Sequence, residues 1–158
     1  MFDVQHSIKG IEAITKSMEA VGHEISYKGG RSALRKAANL ISNAVKANAR
    51  RLDDPETSEQ IEENVAVRWS SKKFKRTGDL MFRVGILGGA RPSGNSKGAP
   101  GGDTWYWRML EFGTRKMSAS PFMRPALERN THAATVEFVQ QAKKAIDRAV
   151  KKAAKEKK

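Results

Sequence analysis

Lysine and arginine number 30 in this chain against 17 aspartates and glutamates, so the chemistry it offers most plainly is contact with phosphate or another anion. A formal charge of +13 favours DNA, RNA or an acidic protein surface as surroundings. At about 100° per residue, Arg35, Lys46 and Arg50 cluster on one face of a predicted helix, with Arg31 at its border and Lys28 just before its start. No acid interrupts from Ile25 to Leu52. These five bases are the expected DNA-facing set, although a solvated helix face that merely avoids the core would show the same pattern. Directly after them come Asp53, Asp54, Glu56, Glu59, Glu62 and Glu63, with no base among them. Opposite charge blocks on one small chain suit head-to-tail packing, in which one copy's acids meet the next copy's bases. Asp53, Asp54 and Glu56 would then lie at an assembly interface. The same block could equally balance the adjacent basic helix within one copy.

Residues for catalysis are harder to assemble. The stretch Gly89-Ala90-Arg91-Pro92-Ser93-Gly94-Asn95-Ser96 looks superficially like a phosphate-binding loop, but Asn95 stands where that loop needs lysine and no apolar helix follows. His6, His23 and His132 are isolated from one another, without zinc spacing or a Gly-x-Ser-x-Gly elbow. The acidic block lacks the glycine punctuation of a calcium loop. With no cysteine, disulfides and thiolate metal sites are excluded. The expectation is a protein that is not an enzyme and carries no metal or cofactor. The segment Met1 to His6 lacks a basic stretch followed by an apolar run, and no stretch approaches the length needed to cross a bilayer. Synthesis in the cytoplasm and no membrane partner are expected.

At 158 residues the chain reads as one domain, 1–150, followed by a basic tail, 151–158, expected to fray. Phe2, Val4 and His6 alternate with polar residues as a short strand does, and Gly10 to Val21 has helical spacing. After a break at Gly29-Gly30, a long helix is predicted from Arg31 to Leu52, with Leu34, Ala38, Ile41, Val45, Ala49 and Leu52 along its apolar face. Pro55 ends it, and Thr57 or Ser58 could start a short helix ending near Asn64. Val65 to Trp69 and Met81 to Leu87 read as an antiparallel pair with a basic turn, Lys72 to Arg76, at its tip. Gly88 to Gly102 holds six glycines and no large apolar side chain, which predicts a long surface loop ordered only by a neighbour. Val136, Val139, Ala142, Ile146, Val150 and Ala153 define a terminal helix. The fold class expected is α+β, a small antiparallel sheet packed against two or three helices, with a long Gly-rich loop.

Large apolar groups concentrate between Trp105 and Leu127. Asp103 or Thr104 could cap a short helix there, and Gly113 is placed to end it in a left-handed conformation. Ser120-Pro121 looks like a second helix start, with Pro125 forcing the regular helix to begin late, near Met123 to Pro125. Neighbours Trp105, Tyr106 and Trp107 point in different directions around a helix, so they cannot all enter one small core. The expected core anchors are Trp107, Phe112, Gly113, Pro121 and Phe122. Tyr106 and Glu111 are expected nearer a subunit boundary.

Tyr106-Trp107, then Glu111-Phe112-Gly113-Thr114, then Pro121-Phe122-Met123-Arg124-Pro125-Ala126 closely resembles a family of small phage proteins. These are the neck, or tail-completion, proteins of long-tailed phages with non-contractile tails. The resemblance implies a structural virion protein that forms a ring, of six copies to match the tail tube, joining tail to head. It implies partners in further copies of the chain, in tail-tube or tail-terminator and head-connector proteins, and in phage DNA passing through the lumen. It also implies assembly in the host cytoplasm and residence in the virion. The runner-up is a free, sequence-nonspecific nucleic-acid-binding protein of nucleoid type. That reading explains the charge but not the Glu-Phe-Gly-Thr segment.

Overall fold

The computed structural model describes residues 11–12, 23–53, 56, 59–88 and 99–156. The expected strand at Phe2–His6, most of the helix at Gly10–Val21, Asp54, Pro55, Thr57, Ser58 and residues 89–98 of the Gly-rich segment lie outside the described residues. In order, the elements are α1 (His23–Ala49), α2 (Ile61–Asn64), β1 (Val65–Trp69), α3 (Ser71–Thr77), β2 (Phe82–Ile86), α4 (Trp107–Phe112) and α5 (Met123–Glu156). The class is α+β, with a two-stranded antiparallel sheet packed against helices.

The strand register follows from two flanking bonds. The Ser70 N–H donates to the Met81 carbonyl and the Leu87 N–H to the Asn64 carbonyl. That pairing sets Val67 opposite Val84 and Trp69 opposite Phe82, whose rings stand 5.2 Å apart. Between the strands lies not a turn but α3, which corrects the expectation at Lys72 to Arg76. It closes as helices do, on Gly78 at φ 77°, whose N–H returns to the Phe74 carbonyl at 2.8 Å.

Two compact units divide the chain, and α1 and α5 each give a part to both. In the unit formed by residues 39–68 and 83–131, Val45, Ala49, Ile61, Val65, Phe122 and Ala126 form the buried core. Ile41, Leu52, Val84, Ile86, Tyr106, Trp107 and Leu110 pack against it. The other unit draws its described residues from 11–12, from α1 up to Ala38, from 69–82 and from 132 onward. There Ala33 and Ala142 are buried, with Phe138, Val139 and Ile146 packed on them. A group of rings, Tyr27, Trp69, Phe74 and Phe82, completes that unit.

The glycine pair Gly29-Gly30 does not break α1, which runs through it from His23. A helical glycine costs about 1 kcal/mol relative to alanine. Here Gly30, Ala33 and Ala37 are buried together on one face, so the small residues belong to the packed side and tertiary burial outweighs propensity. On α5, Val136 and Val150 are exposed, against expectation. Val136 lies about 200° around the helix from buried Ala134, and Val150 stands one turn past Ile146, the last residue in contact with that core.

Candidate functional site

The segment from Gly101 to Arg124 is held by two buried polar side chains. The first is Asn64, at the end of α2 and fully buried. Its Nδ2 donates to the Gly102 carbonyl at 2.9 Å and to Thr104 Oγ1 at 2.7 Å, while its Oδ1 accepts from the Gly101 N–H at 2.8 Å. The Gln60 N–H donates to the Gly101 carbonyl at 2.7 Å, and a Cβ on Gly101 would run into the Gln60 carbonyl. Only glycine lets the returning chain approach this closely. The Gly-rich segment therefore ends in a fixed anchor, just before the aromatic residues.

From that anchor the chain enters α4, two or three residues later than a cap at Thr104 or Asp103 would place it. Thr104 serves differently, its hydroxyl taken by Asn64 and its carbonyl accepting from the Trp107 N–H at 3.1 Å. Tyr106, Trp107 and Leu110 turn toward the core. Gly113 ends the helix as expected, but at φ 75° and ψ 177°, an extended positive-φ conformation rather than the left-handed helical one, and a Cβ there would meet the Ala119 nitrogen at 2.9 Å. A tight bridge between Thr114 and Met117 then reverses the chain, and the Ser120 N–H ties back to the Leu110 carbonyl at 2.8 Å.

The second buried polar group is Glu111, 1% exposed. Its carboxylate accepts from the N–H groups of Phe122 and Met123 through Oε2, at 2.8 and 2.9 Å, and from that of Arg124 through Oε1, at 3.0 Å. Those are the orphan donors at the start of α5, and Pro121 and Pro125 on either side have no N–H to contribute. One carboxylate thus takes every donor that the proline-bracketed run presents. Negative charge at a helix N-terminus is also favoured by the helix dipole. Arg124 closes the arrangement, its Nε on Glu111 Oε1 at 3.0 Å and its Nη2 on the Glu111 carbonyl at 2.6 Å. Burial pushes the Glu111 carboxyl up, but the N–H groups of Met123, Phe122 and Arg124 and the Arg124 guanidinium outweigh it and hold the group below the usual carboxylate range. The Asn48 amide, from α1, donates to the Phe122 carbonyl at 3.1 Å and fixes the same corner from the other side.

Two neighbours therefore exchange the places expected of them. Glu111, expected near a subunit boundary, is internal, since a side chain bonded to three backbone N–H groups cannot reach a partner. Phe112, expected as a core anchor, is 62% exposed, and the Arg124 guanidinium lies 5.2 Å from its ring centre. Pro121 is likewise exposed rather than core, because its ring sits at the corner ahead of the helix. Phe122 is buried as expected, Trp107 and Gly113 are half-buried, and Tyr106 packs on the core instead of lying free at a boundary. Met109 and Met117 join Phe112 as large exposed apolar groups, and Arg108, Arg115 and Lys116 are exposed beside them in the sequence. Spacing alone could not sort Glu111 from Phe112, one residue apart. The signal that could have done so is the pair of prolines, which leaves three donors requiring an acceptor.

The charge blocks are also sorted by the fold. Asp53 turns inward to cap α2, accepting from the Ile61 and Glu62 N–H groups at 2.9 and 3.1 Å, so it too is not available to a partner. Glu56 is exposed. Arg50 forms a two-pronged ion pair with Glu62, its Nε on Oε2 at 2.6 Å. That pair balances the two blocks within one copy, and the Arg50 hydrogen bond, outweighing desolvation, draws the Glu62 carboxyl below its ordinary range. Of the five bases expected to face DNA, Arg31 is stacked 4.7 Å over the Trp69 ring and bonded to the Tyr27 hydroxyl at 3.3 Å. Lys28 and Arg35 are exposed and Lys46 is half-buried. Among the described residues no three histidines, aspartates or glutamates gather as a metal would need, and no helix is long and apolar enough to cross a membrane.

An α+β fold whose outward-facing phenylalanine is next to a buried, helix-capping carboxylate defines a class of architecture rather than a chemistry. The comparison with known families is more specific. Residues 12–113 match the family described as "Bacteriophage HK97-gp10, putative tail-component", and the chain belongs to that family. A phage tail component is part of the virion. The matched span includes Tyr106, Trp107, Glu111, Phe112 and Gly113 and stops short of the Pro121–Ala126 run. No curated protein and no solved structure gives a match.

Proposed function

We propose that the protein completes the tail at the neck, as a ring of six copies that joins tail to head around the DNA path. The work is geometric rather than catalytic. The observation that carries this reading is the exposed Met109, Phe112 and Met117 surface on a support locked by Glu111, within and just beyond the span that matches the tail-component family. Large apolar groups held rigidly outward suit a partner surface better than solvent. A closed ring needs two different complementary patches on each copy. Phe112 with basic neighbours Arg108, Arg115 and Lys116 is one, and the acidic segment, through exposed Glu56 and Glu63, is its electrostatic complement on the next copy. Tail-tube or tail-terminator and head-connector proteins are the partners above and below. Electron microscopy of the purified protein tests the reading directly. Closed rings are expected, and Phe112→Glu should abolish them while leaving the monomer folded; persistent rings in that variant would remove Phe112 from the interface.

A further inference from the structure

The bases best placed to meet phosphate are not the stripe on α1. Arg31 sits on Trp69 and Tyr27, and Arg50 is paired with Glu62. The short helix α3 is different. Its sequence Ser71-Lys72-Lys73-Phe74-Lys75-Arg76-Thr77 puts Lys72, Lys75 and Arg76 at i, i+3 and i+4, on one side. All three are exposed. Phe74 lies about 200° around from Lys72 and turns inward, its ring 4.7 Å from that of Tyr27 and 5.6 Å from that of Trp69. Asp79, the acid that follows the helix in sequence, is drawn aside by the Thr77 hydroxyl at 2.8 Å and Lys73 at 3.9 Å.

The aromatic group explains why this helix can hold its bases in one place. Tyr27, Trp69 and Phe82 form a platform on which Phe74 seats α3, and Arg31 covers the Trp69 face. Neither strand needs a helix at this turn; two residues would connect a hairpin. What the extra residues supply is a compact cationic face on a rigid base.

We propose that the outer face of α3, through Lys72, Lys75 and Arg76, is where this chain meets the phosphate backbone of double-stranded DNA. The proposal rests on the reading that DNA passes through the assembled ring, and it names the residues that line its path. Binding through phosphates alone is independent of base sequence and weakens steeply with salt, as a conduit for sliding DNA requires.

The test compares two triple variants with equal charge loss. One is Lys72→Gln, Lys75→Gln, Arg76→Gln; the other is Lys143→Gln, Lys144→Gln, Arg148→Gln, three exposed bases of α5. Each is titrated with a mixed-sequence DNA duplex over a range of salt, by fluorescence anisotropy. The α3 variant should lower the slope of log K against log salt by about 2.7, which is ~0.9 for each of three phosphates, and the α5 variant by far less. Equal losses in the two would overturn the proposal, because net charge alone would then account for binding. So would a wild-type protein that does not bind duplex at low salt. Lys75 and Arg76 also sit in the last turn, where cations favour the helix dipole. If that were their whole role, the α3 variant would melt lower with DNA binding intact. Ring formation separates this proposal from the neck reading. An α3 variant that still closes into rings but no longer binds duplex supports it, whereas one that binds duplex normally and fails to form rings would assign α3 to the subunit boundary instead.

Discussion

Glu111 with Arg124 and Glu62 with Arg50 are the same pair chemically, and both carboxyls are held below their ordinary range. They differ in what else the acid does. Glu62 meets a guanidinium at the surface, where water would serve almost as well, and the pair carries no further structure. Glu111 is buried and bonded to three backbone N–H groups before its arginine is counted. An exposed ion pair is a local convenience. A buried carboxylate that also caps a helix decides where two elements meet, because removing it strands helix donors away from water.

The largest difference between the two pairs should appear in Glu111→Lys. It places a cation against helix donors and beside Arg124, and should cost ~3–5 kcal/mol, the range for leaving a buried charge uncompensated, seen as a large fall in melting temperature. A variant that melts like wild type would show that the carboxylate is dispensable. The second expectation sets two phenylalanines against each other. Phe122→Ala should cost ~3–5 kcal/mol as a buried ring is deleted, and Phe112→Ala only about 0.5 kcal/mol or less in the isolated chain, with loss of tail joining. Equal destabilisation would put Phe112 in the core after all.

Asn64→Ala should fall between these, at ~1–3 kcal/mol, because it orphans the Gly101 N–H and releases Thr104. Protection of the Gly101 amide from hydrogen exchange measures it. Acid titration separates Glu111 from an ordinary surface carboxylate. A group whose folded pKa is depressed contributes stability in full above its unfolded value, near 4.3, and loses it as pH falls through the folded value. Thermal stability should therefore decline below about pH 5, and Glu111→Gln should flatten that decline. The smallest effect belongs to Glu62→Gln, which should leave the melting temperature close to that of wild type, since exposed pairs contribute little.

Much of this architecture can be read from residue order. Val65 to Trp69 shows itself as a strand by alternation, Gly113 as a helix stop by type and place, and Pro125 as the mark of a late helix start, because each reflects backbone geometry that one or two residues impose by themselves. The family resemblance in the aromatic segment is likewise a matter of sequence. What order could not decide is where neighbours with equal claims would point. Gly29-Gly30 looks like a break until the buried face of α1 turns out to be built of small residues. Lys72 to Arg76 looks like a turn until Phe74 finds a bed of rings. Asp53 and Glu111 look like surface acids until helix N-termini, brought to them from 8 to 13 residues away, offer their donors. In each case the deciding partner lies beyond the local window. Burial and hydrogen-bond satisfaction are properties of the assembled chain, so only the tertiary structure could decide that Glu111 goes in and Phe112 stays out.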